Sequence, residues 1–257
     1  MRLRRVLLGV TDTTATEKTR GMDHHHDTNL RDLQMARSMC WHCQSEMTGE
    51  YFCDRCVKVQ PVSKETDYFT CLGLARRLMI DQNKLEAKFY ELSRAFHPDF
   101  YQNKSETEQT ISLGNAAMLN SAYRILRDPI QRAEYLLDLE AGAVKTIRMS
   151  PPADLFEEIL ELQNTLDEYR ASDRQSETGR GLQAQLQAEQ QALERRKQDL
   201  EAQLQQLFSQ WDALQDRGEA TSLTRAERDR LLKQMREILS NRTFVTNIVN
   251  DLTATIA

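Results

Sequence analysis

The sequence contains the stretch Phe89-Tyr90-Glu91-Leu92-Ser93-Arg94-Ala95-Phe96-His97-Pro98-Asp99-Phe100, in which an apolar helical run meets a His-Pro-Asp tripeptide. Apolar residues at helical spacing predict one buried face, formed by Leu85, Phe89, Leu92 and Phe96. Asp81 is placed to cap the start of this helix. Pro98 lacks a backbone donor and disfavours the helical conformation in the residue before it, so the helix is expected to end near Phe96. The tripeptide is therefore predicted to lie in a loop.

A second helix is predicted directly after this loop. Ser105-Glu106-Thr107-Glu108 has the pattern of a capping box, in which the first and last side chains each bond the other residue's backbone amide. The apolar face of the helix is formed by Ala116, Leu119, Tyr123 and Leu126. Asp128-Pro129 is expected to end it. Two helices of similar length joined by a short loop pack antiparallel, so the pattern predicts a helical hairpin that carries the tripeptide in its loop.

Three motifs around this hairpin resemble a J-domain, and more narrowly that of the HscB-type co-chaperones. They are Asp67-Tyr68-Phe69-Thr70-Cys71-Leu72-Gly73-Leu74, the His97-Pro98-Asp99 loop, and Asn120-Ser121-Ala122-Tyr123-Arg124-Ile125-Leu126-Arg127-Asp128-Pro129 followed by Arg132-Ala133-Glu134-Tyr135-Leu136. The resemblance covers about residues 67 to 142, and the J-domain is assigned to residues 66–142. Without the flanking hairpin, His97 and Asp99 would be interpreted as ordinary turn residues.

Composition favours an all-α protein of two or three modest domains. The chain has 257 residues with only 9 Gly and 5 Pro, and its second half is rich in Gln, Glu, Leu and Arg. A net charge of −5 gives no general affinity for nucleic acid or an anionic membrane. Apolar runs are far shorter than the roughly 20 residues that span a bilayer. We therefore expect neither a nucleic-acid nor a membrane partner.

The first ten residues are basic and apolar and contain no acid, as at the start of a mitochondrial presequence. Asp12 and Glu17 soon interrupt that pattern. Residues 1–38 are accordingly predicted to be a presequence or a disordered tail. The expected location is the mitochondrial matrix, with the cytoplasm as the alternative.

Two Cys-x2-Cys motifs, Cys40-Trp41-His42-Cys43 and Cys53-Asp54-Arg55-Cys56, are separated by nine residues. Four thiolates on two such turns complete a tetrahedral shell, so a structural zinc module is predicted over residues 39–62. Disulfides and a rubredoxin-like iron site are the alternatives, the first of which needs an oxidising compartment. A similar tetracysteine element precedes the J-domain in some HscB-type proteins, those of animals included.

Three long helices are predicted over residues 150–257 and imply an antiparallel three-helix bundle. The first seam is Leu155, Ile159, Leu162, Leu166 and Tyr169, and the second is Leu182, Leu186, Leu193, Leu200, Leu204, Leu207, Trp211 and Leu214. After Gly218, Thr224-Arg225-Ala226-Glu227 predicts the start of a third helix with Leu231, Met235, Ile238, Val245, Val249 and Leu252 in register. HscB-type proteins have such a bundle. Residues 174–197 look like an insertion and are expected to project as a coiled-coil hairpin or to fray.

The resemblance implies a co-chaperone that stimulates the ATPase of a seventy-kilodalton heat-shock chaperone and delivers the iron–sulfur scaffold protein to it. The residues that it implies for chaperone binding are His97, Pro98, Asp99, Lys88 and Arg94. Those that it implies for client binding are Phe156, Leu160, Glu161 and Glu168. The family pattern differs from this sequence at Asn164 and near Glu237.

The sequence lacks a recognisable catalytic motif, with neither a nucleophile–base pattern nor a phosphate-binding glycine loop, which indicates a protein that is not an enzyme. Three alternatives remain: a J-domain protein for another client, a zinc-dependent adaptor and a structural coiled-coil protein. The adaptor predicts a basic surface near Arg55 and Lys58. Glu189 and Arg196 interrupt the leucine seam and argue against a long zipper.

Overall fold

The computed structural model describes residues 39–47, 51–141, 156–216 and 222–256. Contacts divide the chain into two compact units, Met1–Gln60 and Pro61–Ala257. The predicted presequence lies outside the described residues. Over the ranges that are described, no helix is long and apolar enough to cross a membrane.

The described part of the first unit consists of two similar turns, each closed by an isolated bridge. Met39 bridges Glu46 across the first turn, and Phe52 bridges Val59 across the second. Neither bridge extends into a strand within residues 39–47 and 51–60. Hydrogen bonds join the two turns, among them the one from the Trp41 indole to the carbonyl oxygen of Val59 at 2.7 Å.

The second unit begins with the four helices of the predicted J-domain region. They are α1 (Tyr68–Cys71), α2 (Gln82–Ala95), α3 (Glu106–Arg127) and α4 (Pro129–Ala141), with a short 3-10 turn at Pro98–Tyr101 between α2 and α3. Gly73, at φ 64°, ends α1 in the left-handed conformation that glycine adopts without strain. The helical hairpin predicted from the His-Pro-Asp stretch is therefore present.

The predicted caps and packing of the hairpin are confirmed. Asp81 accepts hydrogen bonds from two amides of the first turn of α2, and Ser105 and Glu108 form the full capping box of α3. The rings of Phe89 and Tyr123 stack between the helices with centroids 4.1 Å apart. Asp128 ends α3 as predicted, but the chain continues directly into α4, because the Asp128 carboxylate accepts the first amides of the new helix.

The C-terminal part is the predicted antiparallel three-helix bundle of α5 (Phe156–Ala171), α6 (Glu177–Asp216) and α7 (Ser222–Ile256). Its core is formed by Leu162, Leu166, Tyr169, Leu186, Leu193, Leu200, Val245, Val249 and Leu252. Ile159, Leu182 and Ile238 pack against this core. The predicted seams are thus confirmed, while the side chain of Leu155 and the end at Gly218 lie outside the described residues.

The expected behaviour of residues 174–197 was wrong. The tract neither projects as a hairpin nor frays; from Glu177 it is the first half of the continuous helix α6. Leu186 and Leu193 are buried in the bundle core, which explains why this polar tract is held as a helix. The turn before it is tight, because a side chain on Gly179 would collide with the carbonyl oxygen of Asp173.

The start of the last helix also differs from the prediction. Helix α7 begins at Ser222, so Thr224 lies inside its first turn. The motif Thr224-Arg225-Ala226-Glu227 matches a capping box in composition, yet the preceding residues already adopt helical geometry. The pattern alone could not fix the first residue, because helix boundaries inferred from sequence are uncertain by one or two residues.

The J-domain region is fixed to the bundle through the loop between α1 and α2. The carboxylate of Asp212 on α6 accepts hydrogen bonds from the backbone amides of Leu78 and Met79, both at 2.8 Å. The indole of Trp211 donates to the carbonyl oxygen of Arg76 at 3.2 Å. Leu78 and Trp211 are fully buried, so apolar packing and hydrogen bonding hold the same loop. The sequence did not predict this junction, because its partners are far apart in the chain.

Candidate functional site

The His-Pro-Asp loop lies exposed between α2 and α3. The His97 side chain is 50% exposed and that of Asp99 is 70% exposed. Within the loop, the amide N–H of Asp99 donates to Nδ1 of His97 at 3.3 Å. A neutral imidazole has one donor and one acceptor, so this bond places the His97 proton on Nε2. The loop therefore presents a ring N–H donor and a carboxylate acceptor side by side.

The backbone on both sides of the tripeptide is anchored to the hairpin. The hydroxyl of Tyr101 donates to the carbonyl oxygen of Ala95 at 2.9 Å. The hydroxyl of Ser112, from the facing helix, donates to the carbonyl oxygen of the fully buried Phe96 at 2.7 Å. Pro98 fixes one further backbone angle. Exposed functional groups are thus carried on a backbone that has little freedom.

The two basic residues expected to bind the chaperone both lie on α2. The ammonium group of Lys88 contacts both carboxylate oxygens of Glu91, at 3.0 and 3.1 Å. Arg94 is exposed in the last turn of the helix, next to the tripeptide. Their role in binding stays a prediction, and the Glu91 contact shows that part of the positive charge of Lys88 is balanced within the helix.

The four cysteines of the first unit form one cluster. Their sulfur atoms all lie within 4.8 Å of one another, and the Cys40–Cys56 and Cys43–Cys53 pairs are each 3.6 Å apart. All four cysteines are free thiols. A tetrahedral zinc centre with Zn–S bonds of about 2.3 Å has sulfurs about 3.8 Å apart. The cluster therefore fits a tetrahedral metal ion and not the predicted alternative of disulfides.

The two turns bring the sulfurs together through equivalent backbone hydrogen bonds. The amide of Cys40 donates to the carbonyl oxygen of Ser45, and that of Cys53 donates to the carbonyl oxygen of Lys58, at 2.9 and 3.0 Å. The residue after each second cysteine has a positive φ, 55° at Gln44 and 57° at Val57. Neither is glycine, so the closed turn must offset the strain of that conformation.

Side chains outside the four ligands modify the thiols. The Ser45 hydroxyl lies 3.0 Å from Cys43 Sγ and 3.4 Å from Cys53 Sγ. This hydroxyl lowers the pKa of Cys43, and together with backbone amides it lowers the pKa of Cys53 to about 6. Burial raises the pKa of Cys56 to about 12. Part of the cluster thus favours the thiolate, the form that binds metal. Sequence reasoning missed Ser45, because a serine near a cysteine pair carries no recognisable signal.

The residues expected to bind the client lie on α5. Leu160 is 54% exposed, and Glu161 and Glu168 are exposed as well, whereas Leu162 on the same helix is buried in the bundle core. Leu160 is therefore not a core residue. Phe156 is the first residue of the helix, and its side chain is outside the described part of the chain.

Comparison with known proteins gives a family match for the first part of the second unit. Residues 67–135 match the family model of the DnaJ domain. The mouse iron–sulfur cluster co-chaperone protein HscB is 35% identical over 105 residues, covering 39% of this chain and 45% of the mouse protein. An Arabidopsis thaliana HscB homolog is 33% identical over 129 residues, covering 50% of this chain and 51% of the plant protein. The chain thus spans about half the length of the curated relatives it matches.

A solved structure supports the fold over a longer range. The crystal structure of human co-chaperone protein HscB superposes with a TM-score of 0.55 at 23% identity, covering 84% of this chain and 97% of the human one. At that identity the likeness concerns the fold. The resemblance inferred from the His-Pro-Asp hairpin is confirmed by the domain match and by the mouse and plant sequences together.

Proposed function

This chain carries a DnaJ domain and is related to the HscB-type co-chaperones, and from that premise we propose that it is a co-chaperone of iron–sulfur cluster assembly. It stimulates the ATPase of a seventy-kilodalton heat-shock chaperone, delivers the iron–sulfur scaffold protein to it, and catalyses no reaction itself. The observation that carries the proposal is the exposed His97-Pro98-Asp99 loop on an anchored helical hairpin.

The geometry of the loop suits the recognition of a protein partner. Nε2 of His97 can donate a hydrogen bond and the Asp99 carboxylate can accept one, so the pair can bridge to complementary groups of the chaperone. The anchored backbone lowers the ordering cost that a flexible loop would add to binding. Lys88 and Arg94 add positive charge that steers an acidic partner surface towards the loop.

The scaffold protein binds α5 in this proposal. The exposed side chain of Leu160 offers apolar area to the partner, and the carboxylates of Glu161 and Glu168 contribute charge that selects a basic partner. The support is the 54% exposure of Leu160 on a helix whose other leucines fill the core.

The cysteine cluster holds zinc in this proposal. Its ligands are Cys40, Cys43, Cys53 and Cys56, and a site with four protein ligands has no open position for catalysis. When bound, the metal crosslinks the two turns, whose described residues form only isolated bridges. We place the protein in the mitochondrial matrix, on the basis of the basic and apolar character of residues 1–10.

The chaperone role is tested by measuring the ATPase rate of the purified heat-shock chaperone with His97→Gln. Stimulation should fall to the basal rate of the chaperone alone, because glutamine replaces the rigid imidazole ring by a flexible amide. Circular dichroism should be unchanged, since an exposed loop substitution costs little stability. Asn103→Gln, an exposed amide change in the same loop region, is the control and should stimulate like the wild type. Full stimulation by folded His97→Gln would refute the role.

The client role is tested by calorimetry with the scaffold protein. Leu160→Ser should weaken scaffold binding while keeping helix content and ATPase stimulation, because its side chain contributes nothing to the core. Gln163→Ser changes an exposed residue of the same helix and should bind like the wild type. Unchanged scaffold affinity in Leu160→Ser would place the client surface elsewhere.

A further inference from the structure

Gln60 is a buried polar residue at the end of the first unit, only 3% exposed. Its amide nitrogen donates to Cys40 Sγ at 3.3 Å and to the carbonyl oxygen of Lys58 at 2.8 Å. Its amide oxygen accepts the backbone N–H of Trp41 at 3.2 Å. One carboxamide thus bonds a candidate metal ligand, the backbone of the first turn and the backbone of the second turn.

We propose that Gln60 is a positioning residue of the metal centre, which holds the Cys40 thiolate in ligating orientation and locks the two cysteine turns to each other. The inference rests on the metal site proposed above. It adds a function for a residue outside the ligand set, one that neither the cysteine spacing nor the pattern of the family identified.

The chemistry of a four-thiolate centre calls for such a donor. A divalent ion with four thiolates carries a net charge of −2, and that charge is buried with Cys40 and Cys53, each 1% exposed. An N–H donor at sulfur offsets part of that charge through a charge-assisted hydrogen bond. Outer-shell partners of this kind typically change metal affinity by about 10- to 100-fold when they are removed.

The position of Gln60 distinguishes it from Ser45, whose side chain also contacts the sulfurs. Ser45 bonds Cys43 and Cys53, but it lies between the ligands and is only partly buried. Gln60 follows the last ligand by four residues and reaches back to the first one across the whole module. The Trp41 indole supports the same closure by donating to the carbonyl oxygen of Val59 at 2.7 Å. Gln60 bonds Cys40 and also joins the two turns. Cys40 therefore cannot leave the metal unless the hydrogen bonds that join the turns break.

The test compares Gln60→Met and Gln60→Glu with matched changes at Gln44, an exposed glutamine of the same module. Methionine keeps the volume and removes the donor, while glutamate keeps the shape and places a negative charge beside sulfur. Zinc transfer from the full chain to a chromogenic chelator gives the release rate. The energy of the sulfur-to-cobalt charge-transfer band in the cobalt-substituted protein reports the hydrogen bond at sulfur directly.

Both Gln60 variants should release zinc at least about tenfold faster than the wild type, and Gln44→Met and Gln44→Glu should not. The charge-transfer band of Gln60→Met should move to lower energy, because a thiolate that has lost one of its N–H donors gives up electrons more readily. Wild-type release from Gln60→Met would overturn the inference, and so would faster release with an unmoved band, which would mark a purely structural role. A wild type that holds less than half an equivalent of metal would overturn the metal site itself.

Discussion

Asp212→Asn should destabilise the second unit by more than its conservative chemistry suggests. Each carboxylate oxygen of Asp212 accepts one backbone N–H, from Leu78 and from Met79, at 2.8 Å. Asparagine offers one acceptor oxygen, so its NH2 group must face the other amide. One loop amide is then left without its acceptor, which costs about 1–3 kcal/mol when that amide is shielded from water, and the remaining bond loses its charge assistance.

The lost charge also matters to a neighbour. Arg132 is only 4% exposed, burial lowers the pKa of its guanidinium, and the Asp212 carboxylate opposes that shift. Without the carboxylate, the buried cation loses a compensating charge. We therefore expect a total loss of roughly 2–4 kcal/mol in the free energy of unfolding.

Urea denaturation followed by tryptophan fluorescence and far-UV circular dichroism measures this loss. Trp211 reports on the junction, because its indole bonds the same loop. Asp216→Asn is the matched control: it lies one turn further along α6 and pairs with Arg77 of that loop, but its side chain is 58% exposed. An exposed ion pair contributes at most about 1 kcal/mol. If Asp212→Asn cost no more than Asp216→Asn, the assignment of Asp212 as the anchor of the loop would be refuted.

Two further predictions concern metal and pH. Chelation or Cys53→Ser should abolish the native fluorescence of Trp41 while the helical dichroism of the second unit persists. The reason is that metal-binding free energy is folding free energy in so small a module. Native Trp41 fluorescence without bound metal would contradict this prediction. Burial raises the pKa of Asp67, but hydrogen bonds from Thr70 and Arg76 outweigh this effect and hold the pKa below its usual value. The ionised carboxylate therefore stabilises the fold above about pH 4. This stabilisation is lost as the pH falls through the folded-state pKa. Thermal denaturation of Asp67→Asn should therefore vary less with pH from about pH 5 downward than that of the wild type, and equal slopes would disprove the effect.

The sequence could predict elements that depend on neighbours in the chain. The Ser105 capping box, the proline that ends the helix before it and the leucine seams all follow from spacing, and the structure has them. The cysteine cluster was also predictable, because two short motifs bring four ligands together wherever the rest of the chain goes.

Contacts between distant residues could not be predicted in the same way. Asp212 and Leu78 are 134 residues apart, and an aspartate on a helix gives no sign of the loop that it caps. Residues 174–197 were misjudged because their glutamines were given more weight than Leu186 and Leu193, whose seven-residue spacing already placed them in the buried seam. The role of the Gln60 amide could not be predicted either, because a glutamine four residues after the last cysteine does not indicate that it reaches the first one.

Helix α6 is continuous and fixes the spacing between the parts of the second unit that pack against its two ends. Its 40 residues span about 60 Å, with one end packed against α5 and the other bonded to the loop that supports the His-Pro-Asp hairpin. The spacing along α6 between its contact with α5 and its contact with that loop is therefore set by the number of residues in one helix. Removing a single heptad would shorten the helix by about 10 Å while keeping its leucine seam in phase.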